Sequence, residues 1–182
     1  MNSSKKPLVK ANPHKIFLIG FMGTGKSYWG ERWAKNLDLS FFDLDKLVED
    51  HEGRSVSDIF EKYGEEHFRK IETAILRQFD KKDNYILACG GGTPCFEDNM
   101  KWMNKEGITI YLKASPGEIL ERVLTDQKTR PLIKNLNKSE LLFFIEQKLR
   151  EREHYYSMGT FNLPVSELAE DSIDHIIRNA RA

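Results

Sequence analysis

Apolar positions along the chain fall into two alternating kinds of segment. Four short runs, KIFLIG (15–20), SFFDL (40–44), YILAC (85–89) and ITIYL (108–112), are rich in branched and aromatic residues and bounded by Gly, Asp, Asn or Pro, which predicts strands. The first carries no charge over 16–20, as suits a strand covered on both faces in a parallel sheet. Longer stretches with helical spacing lie between them, over 26–37, 46–51, 56–79, 116–125, 139–156 and 166–180. In 57–79 the apolar residues Ile59, Phe60, Tyr63, Phe68, Ile71, Ile75 and Phe79 follow that spacing, with a break at Gly64. A fifth strand is expected over 161–165, and Pro164 confines it to an edge or a strand end. Strands alternating with helices predict βαβ units, hence an α/β fold in three layers with a parallel sheet between helices.

Length and composition narrow the class. A chain of 182 residues fits one domain, expected over 14–182, preceded by a loose polar tail over 1–13 that carries Lys5, Lys6 and Lys10 and no acid. Apolar residues at 40 % exclude general disorder. The 28 basic and 28 acidic residues cancel, which argues against a nucleic-acid partner held by bulk positive charge. No apolar run approaches the ~20 residues of a membrane span, and the N-terminus has no apolar signal region, so a soluble cytoplasmic protein without membrane association is expected. Cys89 and Cys95 are too few for a disulfide scaffold and read as a buried strand-end thiol and a loop thiol rather than a metal pair. Nothing in the chain demands more than a monomer.

The strongest chemical signal is Gly20-Phe21-Met22-Gly23-Thr24-Gly25-Lys26-Ser27, which satisfies G-x-x-x-x-G-K-[ST] between a predicted strand and a predicted helix. Its glycines let backbone N–H groups wrap phosphate oxygens, and the helix starting near Lys26 aims its positive end at the same anion. Lys26 would reach the terminal phosphates and Ser27 would ligate Mg²⁺. Asp43 and Asp45, two apart at a strand end, would project to one side as a pair serving the metal and a substrate hydroxyl, or else cap the helix near Lys46. Gly90-Gly91-Gly92 follows a strand at the carboxyl edge of the sheet and reads as a loop that contacts substrate. Arg69 and Glu72, three apart on one helix, form either a solvated ion pair or a guanidinium oriented to grip a carboxylate. Arg130 lies in a polar stretch between helices that reads as a flap able to close on a phosphoryl group, and Arg152 sits in a charged helical run.

Taken together, GFMGTGKS, FFDLD, GRSVSDIF, FRKIE, CGGGTP, RPLI and a late Arg152 followed by Tyr156 resemble the shikimate kinase family, from about residue 15 to 180. The resemblance implies a P-loop kinase fold with a five-stranded parallel sheet, a small substrate-binding part (about 45–80) and a lid (about 126–138). It implies transfer of the γ-phosphate of ATP to the 3-hydroxyl of shikimate, with Mg²⁺, on the route to chorismate and the aromatic amino acids. Carried over by motif, Gly23, Thr24, Gly25, Lys26, Ser27, Tyr28 and Arg130 would bind ATP, and Ser27 and Asp43 would hold the metal. Asp45 would bond the attacking hydroxyl, with Lys26 and Arg130 neutralising the phosphoryl group. Arg69, Arg152, Gly91 and Gly92 would hold the substrate, Glu72 would orient Arg69, and Phe60 and Phe68 would line its ring. The chain departs from the family pattern at Tyr28, where Thr is usual, and after Arg152, where Glu-His-Tyr-Tyr follows; Arg122 stands near the position of an adenine contact. The rival readings are another small-molecule kinase of this fold, of gluconate or nucleotide type, and a non-catalytic ATP-binding module. The combined D-x-D, FRxxE and GGG motifs oppose the first, and the intact Lys26, Ser27 and aspartates oppose the second.

Overall fold

A computed structural model describes residues 14–126, 133 and 135–181; the tail over 1–13 and most of the expected lid, including Arg130, lie outside the described residues. The five strands are β1 (Lys15–Ile19), β2 (Ser40–Asp43), β3 (Tyr85–Ala88), β4 (Ile108–Lys113) and β5 (Phe161–Pro164). They form one sheet in the order β2-β3-β1-β4-β5, with every neighbouring pair parallel. β1, without charge after Lys15, is central and wholly buried, while β5 with its proline takes an edge, as the missing N–H requires.

The alternation of β1 divides the interior in two. Ile16 and Leu18 face one core, shared with α1 (Lys26–Leu37), α5 (Pro116–Asp126), α6 (Lys138–Tyr156) and α7 (Ser172–Arg181). Phe17 and Ile19 face the other, closed by α2 (Leu44–Glu52), α3 (Val56–Arg77) and α4 (Asn99–Glu106). This is the three-layer α/β/α arrangement. Among the described residues, no helix is long and apolar enough to cross a membrane.

Three elements differ from the sequence expectation. α4 is an added helix: its eight residues NMKWMNKE offer only Met100, Trp102 and Met103 as apolar positions, too few to set a period. The stretch expected to be helical from 166 begins instead with a tight turn at Val165–Glu167, and α7 starts at Ser172. α2 starts at Leu44 rather than Lys46, because the Asp43 carboxylate accepts from the backbone N–H groups of Asp45 and Lys46 and caps the helix. Asp45 therefore belongs to a first helical turn and not to a strand end.

The loops after β1 and β3 and the first turn of α2, which follows β2 directly, all lie at the carboxyl edge of the sheet. β1 has its neighbours β3 and β4 on opposite sides, so the crevice beside it is the switch point where open α/β sheets bind ligands.

Candidate active site

The loop over 20–27 joins β1 to α1. Gly25 is the residue that caps α1, in a left-handed conformation with φ of 87°, which a side chain would strain. It supplies no side-chain cap, and no acidic residue stands in the first turn of α1, so the positive end of the helix is left for an anion. Lys26 folds back across the loop, its Nζ donating to the carbonyls of Gly20 at 2.9 Å and Phe21 at 2.8 Å. The Thr24 hydroxyl, buried, donates to the Phe21 carbonyl and staples the loop to itself. Gly23 offers its carbonyl to the Arg122 guanidinium at 3.3 Å. Tyr28 is 56 % exposed, stands edge-on to Trp29 and carries the Arg32 guanidinium over its ring. The loop lines a cleft of about 930 Å³ together with Asp43, Asp45, Gly90, Gly91 and Arg122.

Asp43 caps α2, one of the two readings made from the sequence, and its side chain also reaches the loop over 20–27. While one carboxylate oxygen caps α2, the other accepts from the Ser27 hydroxyl at 2.6 Å. Hydroxyl and carboxylate oxygens so placed are the hard ligand set that Mg²⁺ prefers beside a phosphate. The pairing of Asp43 with Asp45 stands, but its reason is corrected: the side chains meet one cleft because the first turn of α2 begins there, and not through strand alternation.

A smaller compartment of about 130 Å³ opens beside this cleft and shares Met22, Asp45, Val56, Gly90 and Gly91 with it. Phe60, Phe68, Arg69, Gly92 and Arg152 complete its wall. Sequence spacing allowed Arg69 and Glu72 to be a solvated pair, and that alternative is excluded. Arg69 is 7 % exposed and Glu72 0 %, with Nη1 donating to Oε2 at 2.9 Å. Burial works to lower the Arg69 pKa, but the Glu72 and Glu65 carboxylates more than offset it and the net shift is upward. Glu72 also accepts from the buried Thr93 hydroxyl at 2.6 Å. The glycines serve close approach: a Cβ on Gly90 would stand 2.6 Å from Glu72 Oε1 and 2.8 Å from Asp45 Oδ1, and one on Gly92 would clash with the Arg69 guanidinium, 2.5 Å from its Cζ. Burial, reinforced by the charges of Glu72 and Asp43 and opposed by Lys26 and Arg69, pushes the Asp45 carboxyl up to about 6.

Most of the expected residues thus meet at one place. Lys26, Ser27, Asp43 and Asp45 share the larger cleft, and Asp45, Phe60, Phe68, Arg69, Gly91, Gly92 and Arg152 share the smaller, with Glu72 behind Arg69. Four contributors were given no role in the sequence reading. Phe96 holds its ring 4.9 Å from the Arg69 guanidinium, Thr93 braces Glu72, and the Tyr156 hydroxyl donates to the Gly91 carbonyl at 2.5 Å. Glu65 also pairs with Arg69, and its spacing of four residues was a usable signal. Cys89 is buried just past β3 and Cys95 closes the turn after the glycines, both as free thiols.

Comparisons with known proteins agree with this geometry. Residues 22–180 match the family model described as shikimate kinase. A shikimate kinase of Parabacteroides distasonis is 39 % identical over 166 residues, covering 91 % of this chain and 96 % of that protein. The crystal structure of shikimate kinase from Bacteroides thetaiotaomicron superposes with a TM-score of 0.83 at 32 % identity, over 92 % of this chain and 96 % of the other. That of Acinetobacter baumannii, solved in complex with shikimate, superposes with a TM-score of 0.77 at 29 % identity, over 91 % and 89 % of the two chains.

Proposed function

Because the chain belongs to the shikimate kinase family, we propose that it transfers the γ-phosphoryl group of ATP to the 3-hydroxyl of shikimate. The observation that carries this reading is the position of Asp45. It lies on the wall common to the phosphate cleft and the arginine-lined compartment, within the fields of both Lys26 and Arg69. A hydroxyl presented to Asp45 would face the end of a nucleotide held by the loop.

The roles follow from the chemistry of the side chains. The backbone of Gly23, Thr24 and Gly25 and the open end of α1 cradle the phosphates, with Lys26 as counter-charge. Tyr28 and Arg122 border the nucleotide end of the cleft. Ser27 and Asp43 would hold Mg²⁺, which supplies charge neutralisation to the phosphates when bound. Arg69 and Arg152 hold the substrate carboxylate, Glu72 orients Arg69, and the backbone of Gly91 and Gly92 contacts the hydroxyls. Phe60 and Phe68 pack on the ring. Asp45, ionised for the most part at neutral pH, accepts the proton of the attacking hydroxyl as its oxygen bonds to phosphorus and the bond to the ADP oxygen breaks. Arg130, outside the described residues, would neutralise charge on the phosphoryl group. On this reading the enzyme works in the cytoplasm as a monomer, with ATP and shikimate as its partners.

ADP release measured with shikimate, gluconate and deoxynucleosides as separate acceptors tests the proposal. Mg²⁺-dependent turnover and a phosphorylated product with shikimate alone are expected. Preference for gluconate or a nucleoside would refute it.

A further inference from the structure

The guanidinium of Arg69 is held on two sides by carboxylates. Glu72 takes an Nη1 hydrogen at 2.9 Å from within the protein. On the outer side, Glu65 Oε1 accepts from Nε at 3.2 Å and from Nη2 at 3.0 Å. A guanidinium has five N–H bonds. These contacts engage three of them and leave one on each terminal nitrogen, two donors for the two oxygens of a carboxylate. The orientation of the group within its own plane therefore decides which way those N–H bonds face, and Glu65 and Glu72 set it jointly.

The chain is built to put Glu65 there. Gly64 interrupts α3 with φ of 81° and ψ of 172°, so Glu65 opens the second helical segment, where a carboxylate is favoured by the dipole. From that position it stands one turn before Arg69, with the acid preceding the base, the better order for such a pair. Phe68 and Phe96 lie against the guanidinium at 5.1 Å and 4.9 Å and restrict its tilt, but rings impose no rotation within the guanidinium plane. Hydrogen bonds do.

We propose that Glu65 is a positioning residue for substrate recognition, fixing the rotation of Arg69 so that its two remaining N–H groups meet the substrate carboxylate. The inference rests on the function proposed above. Glu65 does not touch the substrate itself; it acts through Arg69.

Steady-state kinetics of Glu65→Ala and Glu65→Gln, with shikimate and ATP varied separately, tests it. Glu65→Ala should raise the KM for shikimate on the order of tenfold, leaving the KM for ATP unchanged. Glu65→Gln retains an acceptor oxygen and should recover most of that loss. Calorimetric binding should show the penalty for shikimate and none for its carboxamide, in which the carboxylate charge is gone. A KM for shikimate that is unchanged or lower in Glu65→Ala would overturn the inference, the lower value marking Glu65 as an anion that competes with substrate. Equal increases for both substrates, or a Gln variant as impaired as the Ala variant, would overturn it too. Failure confined to the variants bears on Glu65 alone, whereas a wild-type protein that does not bind shikimate overturns the function on which it rests.

Discussion

Asp45 shows how one side chain carries opposed demands. The proton-accepting role proposed above needs an ionised carboxyl, yet burial and the neighbouring charges of Glu72 and Asp43 raise its pKa from 3.8 to about 6. A carboxyl whose folded pKa lies above its unfolded one contributes stability that is complete below about 3.8 and is lost as pH rises through about 6. At pH 8 the ionised form therefore weakens the free protein by roughly 3 kcal/mol, from a shift of about two pKa units. Asp45→Asn removes that charge. It should be more stable than the wild type at pH 8 in urea unfolding, with the difference shrinking as pH falls through about 6 and gone near 4. The same variant should lose ~10²-fold or more in kcat with little change in the KM for ATP. A variant less stable at pH 8 than at pH 4, relative to wild type, would mean that the buried charge is not the cost inferred here.

At the scale of elements, α6 delivers Arg152 to the compartment and is fastened at two points around it. The Tyr156 hydroxyl donates to the Gly91 carbonyl, and Glu153 accepts from Tyr111 at 3.0 Å and from Lys113 at 3.0 Å. Arginine and glycine loop are thereby held in one frame. Tyr156→Phe keeps the ring packing on Tyr111 but strands a carbonyl acceptor, which costs about 1–3 kcal/mol where the group is buried. Lower stability in chemical denaturation is expected, with a several-fold rise in the KM for shikimate and none for ATP. Loss of stability without the kinetic change would reduce the bond to a purely structural tie. Elements were also where the sequence was most legible. All five strands were readable, because buried parallel strands are short apolar runs between breakers, and the break in α3 was visible as Gly64. The helix α4 was not, since three apolar residues in eight set no period. The phosphate loop could be read whole because its chemistry is local. The burial of Arg69 could not, because Gly92, Thr93 and Phe96, which enclose it, come from a loop more than twenty residues away whose position depends on the sheet.

Across the whole molecule, two binding regions meet at one edge of the sheet, share a wall of Met22, Asp45, Val56, Gly90 and Gly91, and are otherwise completed by different parts of the chain. The phosphate region comes from β1, its loop and α1; the arginine region comes from α3, the glycine loop and α6. A formal net charge of zero is no obstacle to two anionic ligands, because the field is made locally by Lys26, Arg69 and Arg152. The division implies that the two ligands stabilise the fold separately. At a hundredfold excess over its Kd, either should add about 2.7 kcal/mol, which for a chain of this size raises Tm by roughly 5–11 °C. Lys26 lines the larger cleft and is absent from the wall of the smaller. Lys26→Ala should therefore lose turnover by ~10²-fold or more and lose most of the Tm rise with ATP, because a phosphate counter-charge is gone. The Tm rise with shikimate should survive nearly intact. Differential scanning fluorimetry of the two proteins with each ligand alone reads both effects. Loss of both rises would mean that the loop and the arginine compartment form one cooperative site. A retained response to ATP would remove Lys26 from the phosphate-binding role.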